Sequence, residues 1–321
     1  MTRPILHLTT AALALGIAAP AALASVAPED VNSASYEGGA LPDGQSAITA
    51  KVQVMLDRAG VSPGVIDGYT GENVDNAIRD FEEMNGFEID GVMDEKVWEA
   101  LGEADTLTTT YTITEEDLAG LMPDLTHDYG DFAKRDRLGF RTIEELVAEA
   151  YHMDRDLLID MNPDADWSAG SEVAVLDPGA ALEGKVAKIT ADKSRAQLLA
   201  YDADDKLIAS YPATIGSSDT PSPEGSYKVT AIAINPTYSY NPEKNFQQGD
   251  NAEAMTLPPG PNGPVGTVWI DLEKDTFGLH GTEDPHLVGK EQSHGCIRLT
   301  NWDATELAGM VDEGVEVTFS D

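Results

Sequence analysis

In 321 residues the chain carries 20 lysines and arginines against 57 aspartates and glutamates, a formal net charge of −37 at pH 7. A field of that sign repels phosphate polymers and anionic bilayers, which excludes nucleic acid and acidic membranes as partners. The single cysteine, Cys296, excludes an intramolecular disulfide framework and any multi-cysteine metal site, while 41% hydrophobic residues suffice for packed cores.

At the N-terminus, Met1 to Leu8 carries Arg3 and no acid, and Ala11 to Ala19 is apolar. Ala22-Leu23-Ala24 then fits a small-residue cleavage site ahead of the acidic SVAPED. Residues 1–24 read as a secretory signal peptide. The apolar run is well short of the ~20 residues that span a bilayer, and no later segment is long and apolar enough either. No cysteine near the cleavage site could carry a lipid. Residues 25–46, rich in Gly, Ala, Ser and Pro, read as a linker.

Helical spacing begins with Ile48, Val52, Met55 and Leu56 and stops at Gly60. Val74, Ala77, Ile78 and Phe81 form a second stripe ended by Gly86, and Val97, Trp98 and Leu101 a short third one. Ile66-Asp67-Gly68 and Ile89-Asp90-Gly91 repeat one turn, each placed before a helix. With AIRDFE and the spacing from Gln53 to Leu101, residues 47–103 resemble the three-helix peptidoglycan-binding domain of cell-wall hydrolases. The resemblance implies affinity for the wall.

Residues 108–178 open on TYTIT and close on the strand-like GSEVAVL. Thr142 and Glu145 make a capping box at the start of an amphipathic helix, and a second short helix, Asp154 to Met161, ends at Asn162-Pro163. This order is similar to a LysM-type wall-binding module, from which the long insert Glu115 to Gly139 departs. His127 and His152 read as ordinary surface or core histidines.

From residue 183 to 321 the texture changes to short strands separated by Asp-Lys and Asp-Asp turns. Val186 to Ala191, Ala196 to Tyr201 and Lys206 to Tyr211 come first. GSYKVTAIAI, GTVWIDL, FGLHG and GCIRLT follow. One helix, Trp302 to Val311, precedes a terminal strand, Val315 to Phe319. The predicted fold class is multidomain: a small all-α bundle, a small α+β module, and a β-rich sandwich-like or barrel domain with one C-terminal helix.

In SHGCIRL the side chains of His294, Cys296 and Arg298 would share one face of an extended chain. A cationic neighbourhood favours thiolate, lowering a thiol pKa that is ~8.5 when unperturbed. Gly295 leaves space beside the sulfur and lets backbone amides approach an oxyanion. Cysteine plus a base histidine held by a third group is the logic of nucleophilic acyl transfer. From the residues alone, either His280 in FGLHGTEDP or His294 could be the base. A metal site of His280, His294 and Cys296 lacks an acidic partner at ligand spacing, so no metal is expected.

LHGTEDPHLVGKEQSHGCIRLTNWDA resembles the signature of the YkuD-type L,D-transpeptidases, and the match extends over Lys185 to Phe319, with TPSPEGSYKV, NPTYSYNP and PPGPNGPVGTVWIDL. The resemblance implies a β-rich domain that joins peptidoglycan stem peptides without a cofactor, in a periplasmic, wall-associated protein whose partner is peptidoglycan. It makes Cys296 the nucleophile and His280 the base, with the His280 ring oriented by the Gly281 carbonyl. It places the oxyanion at the amides around His294, Gly295 and Cys296. Arg298 would hold the loop or face a substrate carboxylate, Ser293 would support the turn at the substrate site, and Tyr238 and Tyr240 would lie on a flap over the cleft. Trp269 remains open between core and cleft, and His286 reads as an incidental loop residue.

Overall fold

A computed structural model describes residues 26–102, 104, 106–216, 220–244, 246–291 and 295–320. The signal-peptide segment, Ser293 and His294 lie outside the described residues.

The N-terminal stripes fold as the spacing predicts. Helix α1 (Pro28–Ser33) precedes α2 (Ala47–Arg58), which Ser46 caps by accepting the Thr49 amide at 3.2 Å. Then come α3 (Glu72–Asn85), stopped by Gly86 at φ 65°, and α4 (Glu95–Leu101), capped by Asp94. Val52, Leu56, Val74, Ala77, Ile78, Phe81 and Val97 form their common core. Composition predicts a linker over residues 25–46, yet 28–33 are helical. Val26 and Val31 are buried against the middle segment, and Asn32 binds the Thr108 hydroxyl and the Leu107 amide. Two apolar side chains and a satisfied amide suffice to dock a segment that composition alone reads as mobile.

In the middle segment, β1 (Thr108–Thr112) pairs antiparallel with β2 (Glu172–Leu176). Between them lie α5 (Glu115–Ala119), α6 (Tyr129–Phe132), α7 (Ile143–Ala150) and α8 (Arg155–Met161). The Thr142–Glu145 capping box is formed. Asn162, just past α8, clasps the Ala174 backbone at both ends of its amide, at 2.7 and 2.8 Å. This segment shares one apolar core with α2, where Val54, Met55 and Ile66 meet Val147, Leu157 and Val173.

The C-terminal part contributes β3 (Lys188–Asp192), β4 (Gln197–Tyr201), β5 (Leu207–Pro212), β6 (Thr214–Ile215), β7 (Gly225–Ile234), β8 (Tyr238–Tyr240) and β9 (Met255–Leu257). After these come β10 (Val268–Leu272), β11 (Gly278–His280), β12 (Ile297–Arg298), α9 (Asn301–Met310) and β13 (Glu316–Ser320). Nine strands form one ladder in the order β5-β4-β3-β13-β7-β10-β11-β12-β6, and β8 and β9 form a separate hairpin. The long β7 pairs with β13 through its first half and with β10 through its second. A strand shared in this way turns one ladder into two facing parts around a single core, which α9 closes.

The helical domain is docked on the open edge of this sheet. Ser62 and Gly60 exchange backbone hydrogen bonds with Ser210 of β5, each at 2.9 Å, which covers an otherwise unpaired edge. Beside them Arg195 bonds the fully buried Asp80 of α3 at 2.9 Å. Burial outweighs that attraction and holds the Asp80 carboxyl up at about 6.

Other carboxyls are also raised chiefly by burial: Glu283 and Asp303 to about 7 and Glu149 to about 8. Folded protein therefore binds more protons than unfolded chain across this range. These groups contribute stability that is complete below the ordinary carboxylate range and is lost as pH rises through 6–8. His280, depressed to about 4, acts oppositely and costs stability as pH falls from its ordinary value toward that one. Thermal melts should therefore give a higher midpoint at pH 6 than at pH 8.5. An equal or higher midpoint at pH 8.5 would refute this reading.

Candidate active site

Strands β11 and β12 run parallel with Leu279 opposite Ile297 and His280 opposite Arg298. Because side chains alternate along a strand, His280, Cys296 and Arg298 fall on one face. All three line an open cleft of about 660 Å³. Its other walls include Tyr129, Tyr238, Phe246, Trp269, Thr276 and Phe277.

The His280 ring is buried, and its Nδ1 lies 2.7 Å from the Gly281 carbonyl oxygen. A carbonyl can only accept, so Nδ1 carries the hydrogen and the neutral ring leaves Nε2 as a base. Trp269, on the paired strand, stacks on the imidazole with centroids 5.5 Å apart and planes 19° apart. Burial first, then the Arg298 charge, push the histidine down to about 4; the Gly281 bond opposes them.

Cys296 sits half-buried. Its thiol faces the Thr276 carbonyl at 3.5 Å, and Thr276 itself holds a left-handed φ of 73°, strained backbone of a kind that recurs at functional sites. Contrary to the sequence-based expectation, the thiol pKa is raised. Burial outweighs the Gly278 amide and the Arg298 charge, both of which lower it. A cation two residues away cannot offset the loss of water around the sulfur. Both shifts favour a neutral thiol beside a neutral imidazole. Iodoacetamide should therefore alkylate Cys296 at a rate that climbs from pH 6 to pH 9. A plateau reached by pH 7 would sink this assignment.

Gly295 has φ 111°, and a Cβ there would meet the Phe277 ring at 2.8 Å, so glycine is required beside the sulfur. The Arg298 guanidinium is half-buried, with a buried Nε that has no hydrogen-bond partner. Glu283, three residues after His280, carries no motif that singles it out in the sequence. The charges of Arg298 and Arg141 partly offset the burial that raises it, and one carboxylate oxygen is buried without a partner.

The hairpin β8–β9 separates the two tyrosines assigned to the flap. Tyr238 faces the cleft. Tyr240 is 1% exposed and turned into a core with Phe132, Leu138 and Leu257; its hydroxyl bonds Asn251 and Gln248 backbone groups at 2.9 Å. Tyr129, from the insert of the middle segment, closes the same wall, its ring 5.1 Å from Tyr240 and 6.2 Å from Tyr238. Sequence reasoning misses it because nothing local ties residue 129 to residue 238. The nearest signal is the insert's departure from the LysM-like pattern. His152 lies away from the cleft, 2.7 Å from Asp57 and stacked on Trp302. His127 binds through its carbonyl to Gln248. No group of three or more metal-ligating side chains occurs among the described residues.

Residues 187–318 match the L,D-transpeptidase catalytic domain, and residues 45–101 match a putative peptidoglycan binding domain. The putative L,D-transpeptidase YkuD of Bacillus licheniformis is 28% identical over 182 residues, covering 56% of this chain and 93% of that protein. The putative L,D-transpeptidase YqjB of Bacillus subtilis is 33% identical over 132 residues, or 40% of this chain and 68% of its own length. The chain belongs to the L,D-transpeptidase family. Among solved structures, it aligns with the Xylanimonas cellulosilytica L,D-transpeptidase at a TM-score of 0.39 and 13% identity, covering 89% of this chain and 100% of that one. An Enterococcus faecium L,D-transpeptidase aligns at a TM-score of 0.32 and 22% identity over 43% of this chain and 50% of its own, so the chain spans half the length of that protein.

Proposed function

We propose that the protein is an exported L,D-transpeptidase that cross-links peptidoglycan by acyl transfer through Cys296. The observation that carries the reading is the His280 ring, fixed by Gly281 so that its basic nitrogen is free to serve the cleft that Cys296 lines. In the first half-reaction the thiol gives its proton to His280 Nε2. The sulfur bonds to the carbonyl carbon at the L-centre of diaminopimelate in a tetrapeptide stem. The carbon–nitrogen bond to D-alanine then breaks, and His280 returns the proton to the leaving amine. In the second half-reaction a diaminopimelate amine of another stem attacks the thioester, loses a proton to His280 and displaces the sulfur, which is reprotonated.

With both pKa values displaced away from an ion pair, the proton moves together with the attack. Amides around His294, Gly295 and Cys296 would receive the developing oxyanion. The partnerless Nε of Arg298 suits a substrate carboxylate, and Ser293 would support the turn that precedes the nucleophile. Tyr238 would cover the bound stem, with Tyr240 anchoring its hairpin. The helical domain and the LysM-like middle segment would hold the enzyme on an insoluble polymer and raise local substrate concentration. In this reading, signal cleavage after Ala24 releases a periplasmic protein.

The test is to incubate the mature chain with disaccharide tetrapeptides and analyse products by mass spectrometry. Dimers lacking one terminal D-alanine are expected. Tripeptide monomers alone would instead make water the acceptor, and no turnover would overturn the catalytic reading.

A further inference from the structure

Behind the catalytic face, Asn301 is buried at the first turn of α9 with both amide hydrogens and its carbonyl oxygen engaged. Its Oδ1 accepts the Thr267 amide at 3.1 Å, and its Nδ2 donates to Glu149 Oε1 at 3.0 Å and to the Pro261 carbonyl at 3.1 Å. The side chain is wedged against the backbone of Gly281. A Cβ on Gly281, or on Gly266 opposite, would overlap Asn301 Oδ1. Gly281 is the residue whose carbonyl oxygen holds the His280 ring. The preceding His280–Gly281 peptide is pinned, since the Gly281 amide donates to Val268 at 3.3 Å and the His280 carbonyl accepts from Leu299 at 2.8 Å. The freedom left to the Gly281 carbonyl is therefore rotation about the Gly281 backbone itself. Asn301, with Gly266 beside it, packs against the Gly281 backbone and so limits that rotation by contact.

Glu149 stands on the last turn of α7, in the middle segment rather than in the catalytic domain. It accepts one of the two hydrogens of the Asn301 amide, and without it that hydrogen has no partner on this side. We propose that Glu149 and Asn301 are positioning residues for His280: Glu149 holds the Asn301 amide, Asn301 holds the Gly281 peptide, and the Gly281 carbonyl sets the imidazole. The middle segment then has a part in catalysis that does not depend on its binding any glycan. An imidazole released from this setting could turn about its ring bond, and misplacement of a reacting group by about 1 Å costs up to ~100-fold in rate. The inference rests on the reading of His280 as the proton acceptor.

The experiment compares the full mature chain with Glu149→Met, which keeps the volume and removes the acceptor, and Glu149→Gln, which keeps an acceptor oxygen. For each, kcat and KM for D-alanine release are measured. The low-field proton resonance of His280 Nδ1 is recorded, assigned by its loss in His280→Gln. Glu149→Met should lose or broaden that resonance and lower kcat roughly 10- to 100-fold with KM unchanged. Glu149→Gln should restore both. Retention of the resonance in Glu149→Met, whether kcat falls or not, overturns the proposal. Loss of the resonance with kcat unchanged leaves the positioning chain standing and overturns His280 as the base.

Discussion

Replacing Cys296 by alanine is expected to lower the rate of D-alanine release from a tetrapeptide by about 10⁴-fold or more, and His280→Ala by a similar factor. In the proposed mechanism the two residues act as one unit, because burial raises the thiol's pKa and the thiol then needs a base in the transition state. The double variant should therefore be no slower than Cys296→Ala alone. A single-turnover assay of D-alanine release checks this, with circular dichroism to confirm folding. Activity within tenfold of wild type in either single variant would remove that residue from the mechanism. Multiplicative losses in the double variant would show that they act independently.

Arg195→Leu is expected to destabilise the chain by about 3 kcal/mol at pH 8, the lower end of the range for breaking a buried ion pair, since the arginine is itself partly solvated. The loss comes mainly from the partner left behind. Asp80 is fully buried on α3, with its second carboxylate oxygen lacking a hydrogen bond. Its raised pKa sets the pH dependence. Arg195 holds the Asp80 carboxyl down against burial, so without it the carboxyl accepts a proton more readily than in the parent. The penalty shrinks as pH falls, and urea unfolding should show a clearly smaller difference at pH 5 than at pH 8. Combining Arg195→Leu with Asp80→Leu should recover the part of the loss that comes from the stranded Asp80. Asp192, the arginine's other partner at 2.9 Å, keeps its bonds from Ser194 and the residue 195 amide. A loss that is independent of pH, or not recovered by the second substitution, would mean that the pair is not what holds this interface.

Residue types alone mark the segment around Cys296 as a candidate, and the family resemblance is what makes Cys296 the nucleophile in it. A lone cysteine flanked by glycine, within two residues of a histidine and an arginine, points to an acyl-accepting thiol, and the alternation places Cys296 and Arg298 on one face. The choice between His280 and His294 is not legible from spacing. His280 is separated from Cys296 along the chain and lines the same cleft because β11 and β12 pair in parallel with a particular register. The sign of the Cys296 shift escapes the sequence for the same reason. The sequence shows the nearby cation, but desolvation depends on Thr276, Phe277 and neighbours that are brought in by folding.

Local patterns determined the elements of this protein: the stripes of α2 and α3, the Thr142–Glu145 cap, the strand-rich C-terminal part and its single helix. These follow from side-chain periodicity and capping chemistry, which act over a few residues. What only the tertiary structure decided lies between elements. Residues 28–33 became a docked helix, the helical and middle segments came to share a core, Tyr240 turned inward, and Tyr129 and Glu149 arrived beside a catalytic centre more than a hundred residues away in sequence. The physical reason is that burial, charge neighbours and hydrogen-bond partners are set by non-local packing. No window of the sequence contains both partners of such a contact.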